Sequence, residues 1–554
     1  MIRTFQMHSI RKQKELTGCL WDFTPLTGKN AGKIYKVATP CCWESHPDFS
    51  NYRGEGDYST TFYAGGDIRL EFKGVSHTAT VYLDDVEIAS HYNAYTAFDV
   101  IVKNLKTAKH KLTIRADNRF SENSALHIPN DYMSYGGVSR PVVLEELKGQ
   151  YISYIHVTPF FKDNCWHADI EMEIKNINEV NASIEAEVLL AEKTLSFGTI
   201  ALCSGETKIV KTTASFEHVS CWSAKQPALY SVTGYLKKYG EIFDDLTDRF
   251  GFRQVEVQGK DILLNKEKLK IKGLCRHEDH PQFGCALPYA AIAADLEIIK
   301  HLGANSVRTA HYPNDELFLD LCDEQGILVW EENHARGLSE EAMKNPNFEP
   351  QAEQVIREMI PAHYNHPSIY IWGILNECAS DTEYGKECYQ KQFDLIRKLD
   401  SSRPCSFASC RFKSDICFGL PDIVSYNIYP LWYHDTPVVE YLDDLYQWVQ
   451  RETEGAGKPF LITEIGAGAI YGCHNPQNSK WTEEYQAEAL EQQLLGVLEY
   501  SDCSGVYIWQ FCDIRISDEC FFGRPRTMNN KGIVDEYRRR KLSYNVVKRI
   551  FEQI

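Results

Sequence analysis

Eight short apolar, β-prone runs succeed one another through the C-terminal half of the chain, beginning near Leu269, Asn305, Ile327, Ile369, Pro404, Ile423, Pro459 and Gly505. Most of the gaps between them read as helices, as over 290–302 and 485–495. Strands that alternate with helices form a parallel sheet, because parallel neighbours need a crossover long enough to hold a helix. Eight such units predict a (β/α)₈ barrel over 256–554.

The remaining sequence has a different grammar. The 554 residues exceed what one hydrophobic core can organise. Residues 1–150 read as short strands with period-two alternation, for example Ile68-Arg-Leu-Glu-Phe and Lys111-Leu-Thr-Ile-Arg-Ala, which predicts a β-sandwich. Residues 151–255 repeat the pattern at the length of an immunoglobulin-like sandwich.

Within the barrel, two acids stand at the ends of apolar runs. Glu377 closes the fourth, Ile369-Tyr-Ile-Trp-Gly-Ile-Leu-Asn376-Glu377, and Glu464 closes the seventh, Pro459-Phe-Leu-Ile-Thr-Glu464. An acid there packs poorly, yet it faces the mouth where active sites of this fold lie. Taken singly, each has an alternative reading as a cap for the next helix. Together they match the two carboxyls of glycoside hydrolysis, one an acid at the leaving oxygen and one a carboxylate at the anomeric carbon. A separation of roughly 5 Å between them favours the retaining, double-displacement route.

Net charge is −18 with no long basic run, which argues against nucleic acid or an anionic membrane as partner. No apolar run approaches the roughly 20 residues that span a bilayer, and the N-terminus shows no signal-peptide pattern. The eighteen cysteines are scattered, without paired spacing or a Cys/His ligand set. They read as small buried thiols in a reducing cytoplasm. Cys378, beside Glu377, is the candidate reactive thiol.

Five motifs, in order, carry a family resemblance. They are Asn130-Asp131-Tyr-Met-Ser-Tyr-Gly-Gly-Val-Ser-Arg-Pro, Gly273-Leu-Cys-Arg-His277-Glu-Asp279-His, Asn305-Ser-Val-Arg308-Thr-Ala-His311-Tyr-Pro, Trp372-Gly-Ile-Leu-Asn376-Glu377 and Ile462-Thr-Glu464-Ile-Gly. With them the chain resembles glycoside hydrolase family 2, the β-galactosidase and β-glucuronidase family, over essentially its whole length. The resemblance implies a sugar-binding-type sandwich, an immunoglobulin-like sandwich and a catalytic barrel. It implies Glu377 as acid/base and Glu464 as nucleophile, the latter hydrogen-bonded by Arg308 and Tyr429. A guanidinium beside Glu464 is expected to hold its pKa low. Asp131, His277, His311 and Asn376 are expected to meet sugar hydroxyls, and Trp509 to floor the site. A dimer or tetramer is a further implication.

The stretch Arg524-Pro-Arg526-Thr-Met-Asn529-Asn-Lys531 resembles the Asn-x-Lys signature of β-glucuronidases, in which amide and ammonium hold the substrate's C6 carboxylate. Arg524 and Arg526 add to that positive field, and Tyr433 and 474–485 resemble the same branch. The rival reading is a solvated basic loop on the barrel rim. In Glu331-Glu-Asn-His334-Ala-Arg336-Gly337 the chain departs from the metal-dependent β-galactosidase branch, since a basic residue stands at the second ligand position. No metal or cofactor is expected. The segment 337–350 is short and implies an open mouth. The expected activity is a retaining exo-β-glucuronidase acting on small glycosides or oligosaccharide ends. A β-galacturonidase or β-galactosidase is the alternative, and a non-catalytic sugar-binding protein the remote one.

Overall fold

A long antiparallel pair, Glu55–Phe72 against Phe98–Asp117, organises the N-terminal part of the chain in the computed structural model, which describes residues 1–520 and 523–553. Tyr58, Phe62, Ile68, Leu70 and Phe72 all point inward from the first of these strands, the period-two pattern read from the sequence. A three-stranded sheet of Cys41–Cys42, Gly137–Val138 and Val75–Ser76 joins the same core. The second sandwich sets Gln150–Lys162, Cys165–Asn176 and Thr207–Phe216 in one sheet. Ala182–Leu190, Lys193–Leu202, Tyr230–Lys238 and Glu241–Phe250 form the other.

The barrel is closed by eight parallel strands: β1 (Ile271–Cys275), β2 (Ser306–Thr309), β3 (Leu328–Glu332), β4 (Ile369–Ile374), β5 (Cys405–Ser409), β6 (Val424–Asn427), β7 (Phe460–Ile465) and β8 (Cys503–Ile508). Each coincides with one of the eight apolar runs. Continuous burial rather than alternation marks them because strands covered on both faces have no solvent side. Among the described residues, the β5–β6 connection carries no helix. A short meander (Val255–Gln258, Asp261–Leu264 and Glu267–Lys268) precedes β1. Its Val255, Ile262 and Leu264 pack with Ile271, Leu328 and Leu461 in one buried cluster.

Helix α1 (Tyr289–His301) follows β1, and α2 (Glu316–Gln325) follows β2. The side chain of Asp315 accepts from Leu317 N at 3.0 Å and so caps α2. Gly326 ends it at φ +72, where a Cβ would meet the Ala224 carbonyl oxygen at 2.5 Å. Among the described residues, no helix is long and apolar enough to cross a membrane.

Buried polar contacts join the sandwiches to the barrel. Arg140 pairs with Glu278 at 2.9 Å, the Tyr135 hydroxyl donates to Asp279 at 2.6 Å, and Arg3 pairs with Asp320 at 2.8 Å. The segment 130–139 lies over the barrel mouth, held where Arg336 donates to Asn130 Oδ1 at 2.9 Å and Ser517 N donates to Asn130 O at 3.2 Å. A residue of the first sandwich thereby reaches the far end of the chain.

Candidate active site

Strand β4 stops just before its acid. Leu375 and Glu377 adopt φ +46 and +53, a left-handed backbone that costs a non-glycine residue roughly 1–2 kcal/mol. Neighbours hold the turn: Glu377 N donates to Ala408 O at 2.9 Å, Gly337 N to Asn376 O at 2.8 Å, and the Tyr389 hydroxyl to Leu375 O at 2.9 Å. Strand β7 carries Glu464 directly. Both acids line one cavity of about 250 Å³, walled also by Asp131, Arg336, Asn427, Tyr429, Tyr433, Trp509 and Lys531. Drug-sized ligands occupy roughly 300–1,000 Å³, so this cavity suits a single sugar ring. Cavities of about 760 and 440 Å³ elsewhere hold no such pair of acids.

Two side chains donate to Glu464, and a histidine ring stands near it. Arg308 Nη1 donates to its Oε1 at 2.9 Å, the Tyr429 hydroxyl donates to its Oε2 at 2.5 Å, and His311 Nε2 stands 4.0 Å from Oε1. The expectation of a low pKa does not hold. Burial, and then the charge of Glu377, push the Glu464 carboxyl up to about 7, against the opposing pull of Arg308 and Tyr429. Arg308 is shared, which explains its limited effect. It also pairs with Glu332 and donates to Asn376 Oδ1 at 2.7 Å. Glu332 is itself buried and accepts from His311 Nδ1 at 2.9 Å.

Glu377 has different company. Asn427 Nδ2 donates to its Oε1 at 3.0 Å and Arg336 Nη2 lies 3.4 Å from its Oε2. Burial opposes the charge on Arg336, but Glu377 and Asp131 outweigh it and hold the guanidinium above its ordinary range. Asn427 also donates to Asn376 Oδ1 at 3.0 Å. Among the described residues, Asn376 Nδ2 and His277 Nε2 are buried polar atoms without a protein partner. Neither residue walls the cavity, so both predicted hydroxyl contacts stand behind its surface. Burial drives His277 and His311 well below the usual imidazole range, so both are neutral. Trp509 lines the cavity and stacks on His311, with centroids 5.0 Å apart at 15°.

The same cavity has a basic corner. Lys531 is 2% exposed and donates to the Tyr433 hydroxyl at 2.9 Å. Its ammonium sits 5.3, 5.7 and 5.0 Å from the ring centroids of Tyr429, Trp432 and Tyr433. Burial lowers its pKa. Arg524 donates to Asp131 at 2.6 and 3.2 Å, and Asn529 Nδ2 donates to the same carboxylate at 2.9 Å. Asn529 thus holds Asp131 and stands behind the wall, whereas Lys531 and Arg524 line it. Arg526 turns away to Glu536. His474 is half exposed on Glu484, and Lys480 donates to Trp432 O at 2.7 Å, buttressing the corner from outside.

Sequence reasoning passed over Asn427 and read Arg336 only as an obstacle to a metal. Asn427 ends β6, two residues before Tyr429, and its place at the end of a barrel strand was the available signal. Cys378 is buried and its thiol is pushed up to about 12 by burial, which fits the reading of the cysteines as small buried thiols rather than the candidate reactive one. Asp320, Asp323 and His366 bring donor atoms within 4.8 Å of one another, but the Arg3 guanidinium already supplies the cation there.

Comparisons with known proteins agree with this architecture. The model of the glycosyl hydrolases family 2 TIM barrel domain matches residues 255–554, that of glycosyl hydrolases family 2 matches 150–253, and the galactose-binding domain-like model of that family matches 39–143. The chain belongs to glycosyl hydrolase family 2 and is a glycoside hydrolase of its glucuronidase branch. A solved β-galacturonidase from Eisenbergiella tayi, bound to galacturonate, is 58% identical with a TM-score of 0.98, covering 100% of this chain and 99% of its own. A β-glucuronidase from Streptococcus agalactiae is 27% identical over 522 residues, 85% of this chain and 84% of the relative. A relative from Formosa agariphila is 28% identical over 526 residues, and the chain spans only 61% of its length.

Proposed function

We propose that this protein is a retaining exo-β-uronidase that prefers β-galacturonides. The observation that carries a uronide is the basic corner: Lys531 and Arg524 face the same 250 Å³ cavity as Glu377 and Glu464, against the single carboxylate of Asp131. Across the cavity Arg336, Arg524 and Lys531 balance Asp131, Glu377 and Glu464, but Lys531 and Arg524 with Asp131 form a locally positive corner, and a buried cation attracts a substrate carboxylate most strongly. Full-length identity of 58% to a β-galacturonidase supports the galacturonide. β-Glucuronides are the second reading, favoured by the Asn529-x-Lys531 element and by the Streptococcus relative.

In this reading Glu464 attacks the anomeric carbon while Glu377 gives its proton to the leaving oxygen. Water then attacks the glycosyl ester, Glu377 takes the water's proton, and Glu464 departs as carboxylate. Protonated Glu377 no longer repels charge on Glu464, so the state competent for the first step ionises the nucleophile. Trp509, which lines the cavity, floors the ring.

The test compares kcat/KM for nitrophenyl β-galacturonide, β-glucuronide and β-galactoside on wild type and Lys531→Met. Loss of a charge-assisted contact of about 2–3 kcal/mol lowers uronide turnover roughly 30- to 150-fold. The neutral galactoside stays within about threefold. Equal loss on all three substrates defeats the uronide reading, and a glucuronide lead in wild type defeats the galacturonide preference.

A further inference from the structure

Cys42 Sγ and Cys285 Sγ lie 3.4 Å apart, although 243 positions separate them in the chain. Cys42 is buried in the strand that pairs with Gly137–Val138 of the first sandwich. Cys285 is partly exposed in the loop between β1 and α1 of the barrel. Met133 and Tyr135 pack with Cys42, and the neighbours Cys285 and Ala286 pack against that cluster. The loop backbone presses close: a Cβ on Gly284, at φ +57, would come within 3.0 Å of Cys42 Sγ. A disulfide needs about 2.05 Å between sulfurs, so the two have roughly 1.4 Å left to close.

We propose that Cys42 and Cys285 are a latent disulfide, which a peroxide closes into a covalent staple between the first sandwich and the barrel. Exposure assigns the order of events. The Cys285 thiol meets the oxidant first: its sulfur attacks one peroxide oxygen, the O–O bond breaks, and sulfenic acid and water result. The Cys42 sulfur then attacks the sulfenic sulfur. The S–S bond forms, the S–O bond breaks, and the hydroxyl leaves as water with the Cys42 proton. Two thiols and one peroxide give one disulfide and two waters. Cys42 is buried, which shields it from dissolved oxidant until the sulfenic acid forms beside it.

The staple joins a segment that serves the cavity to the loop that follows β1. Residues 130–139 bring Asp131 to the mouth, and the loop that carries Cys285 runs from the end of β1 to α1 and contains His277. Their relative placement rests at present on the Tyr135–Asp279 and Arg140–Glu278 contacts.

The experiment treats the full-length reduced protein with hydrogen peroxide, alkylates the remaining thiols under denaturing conditions and maps peptides by mass. The expected product is the Cys42 peptide joined to the Cys285 peptide, at their summed mass less two hydrogens, with a melting temperature raised by several degrees. Cys285→Ser abolishes both changes and Cys41→Ala abolishes neither. Recovery of the two peptides separately alkylated overturns the proposal. So does Cys42 joined to any other cysteine, or Cys285 carried on to sulfinic acid while Cys42 stays alkylated. Mapping of the wild type decides even if a Cys42 variant fails to fold.

Discussion

Removing one hydroxyl should move the pH at which this enzyme switches off. The Tyr429 hydroxyl donates to Glu464 Oε2 at 2.5 Å in a buried site, so it favours the ionised carboxylate. Tyr429→Phe deletes that donor and leaves the ring in place. A hydrogen bond to a charged group contributes about 1.5–3 kcal/mol, and one pKa unit corresponds to about 1.4 kcal/mol. Glu464 stands near 7 in the wild type, and the variant should carry it roughly one to two units higher. The sign follows from the role: turnover needs Glu464 ionised and fails as pH falls through its pKa. In kcat/KM profiles, which report the free enzyme, the acid limb should shift upward, with roughly 10- to 100-fold loss at pH 6 and recovery above the new limb. Any packing role of the ring lowers the plateau without moving the limb, so the two effects separate. An acid limb that stays in place in Tyr429→Phe, with turnover uniformly reduced, refutes the assignment of Glu464 as the ionising nucleophile.

Glu464→Gln should abolish turnover, by at least about a thousandfold, while galacturonate still binds by calorimetry; surviving turnover would place the nucleophile elsewhere. The same substitution tests linkage: a folded-state pKa near 7 exceeds the ordinary carboxylate value, so wild-type stability falls as pH rises from about 4.5 to 7. Denaturation across that window should show the Gln variant gaining on wild type toward pH 8, and parallel curves would contradict the raised pKa. Asn427→Ala removes the amide that joins Glu377 to Asn376 and should cut kcat roughly tenfold with little change in melting temperature. Gly326→Ala, at positive φ against the Ala224 carbonyl, should lower stability by more than about 1 kcal/mol without altering the active-site pH profile.

The barrel was legible because eight short β-prone runs alternate with helical stretches, the order a parallel sheet requires. The two acids were legible because a charged residue ending such a run has nowhere to pack. Asn427 and Arg336 were not. Their roles depend on which neighbours a closed sheet and a crossing loop deliver, and neither is written in local spacing. Asn529 shows the limit from the other side. Its motif placed it at the mouth, but its amide is spent on Asp131, a residue 398 positions away.

The local sequence determined the strands, the acids and the presence of cations near the barrel mouth, because periodicity and charge are properties of short segments. Tertiary structure alone decided that Glu464 is driven up to about 7 rather than down. Burial and the nearness of Glu377 outweigh Arg308, whose charge is divided with Glu332. It also decided that segment 130–139 completes the site and that Cys42 meets Cys285. Those are sums over groups remote in the chain, and electrostatic energies depend on distance and dielectric rather than on sequence separation.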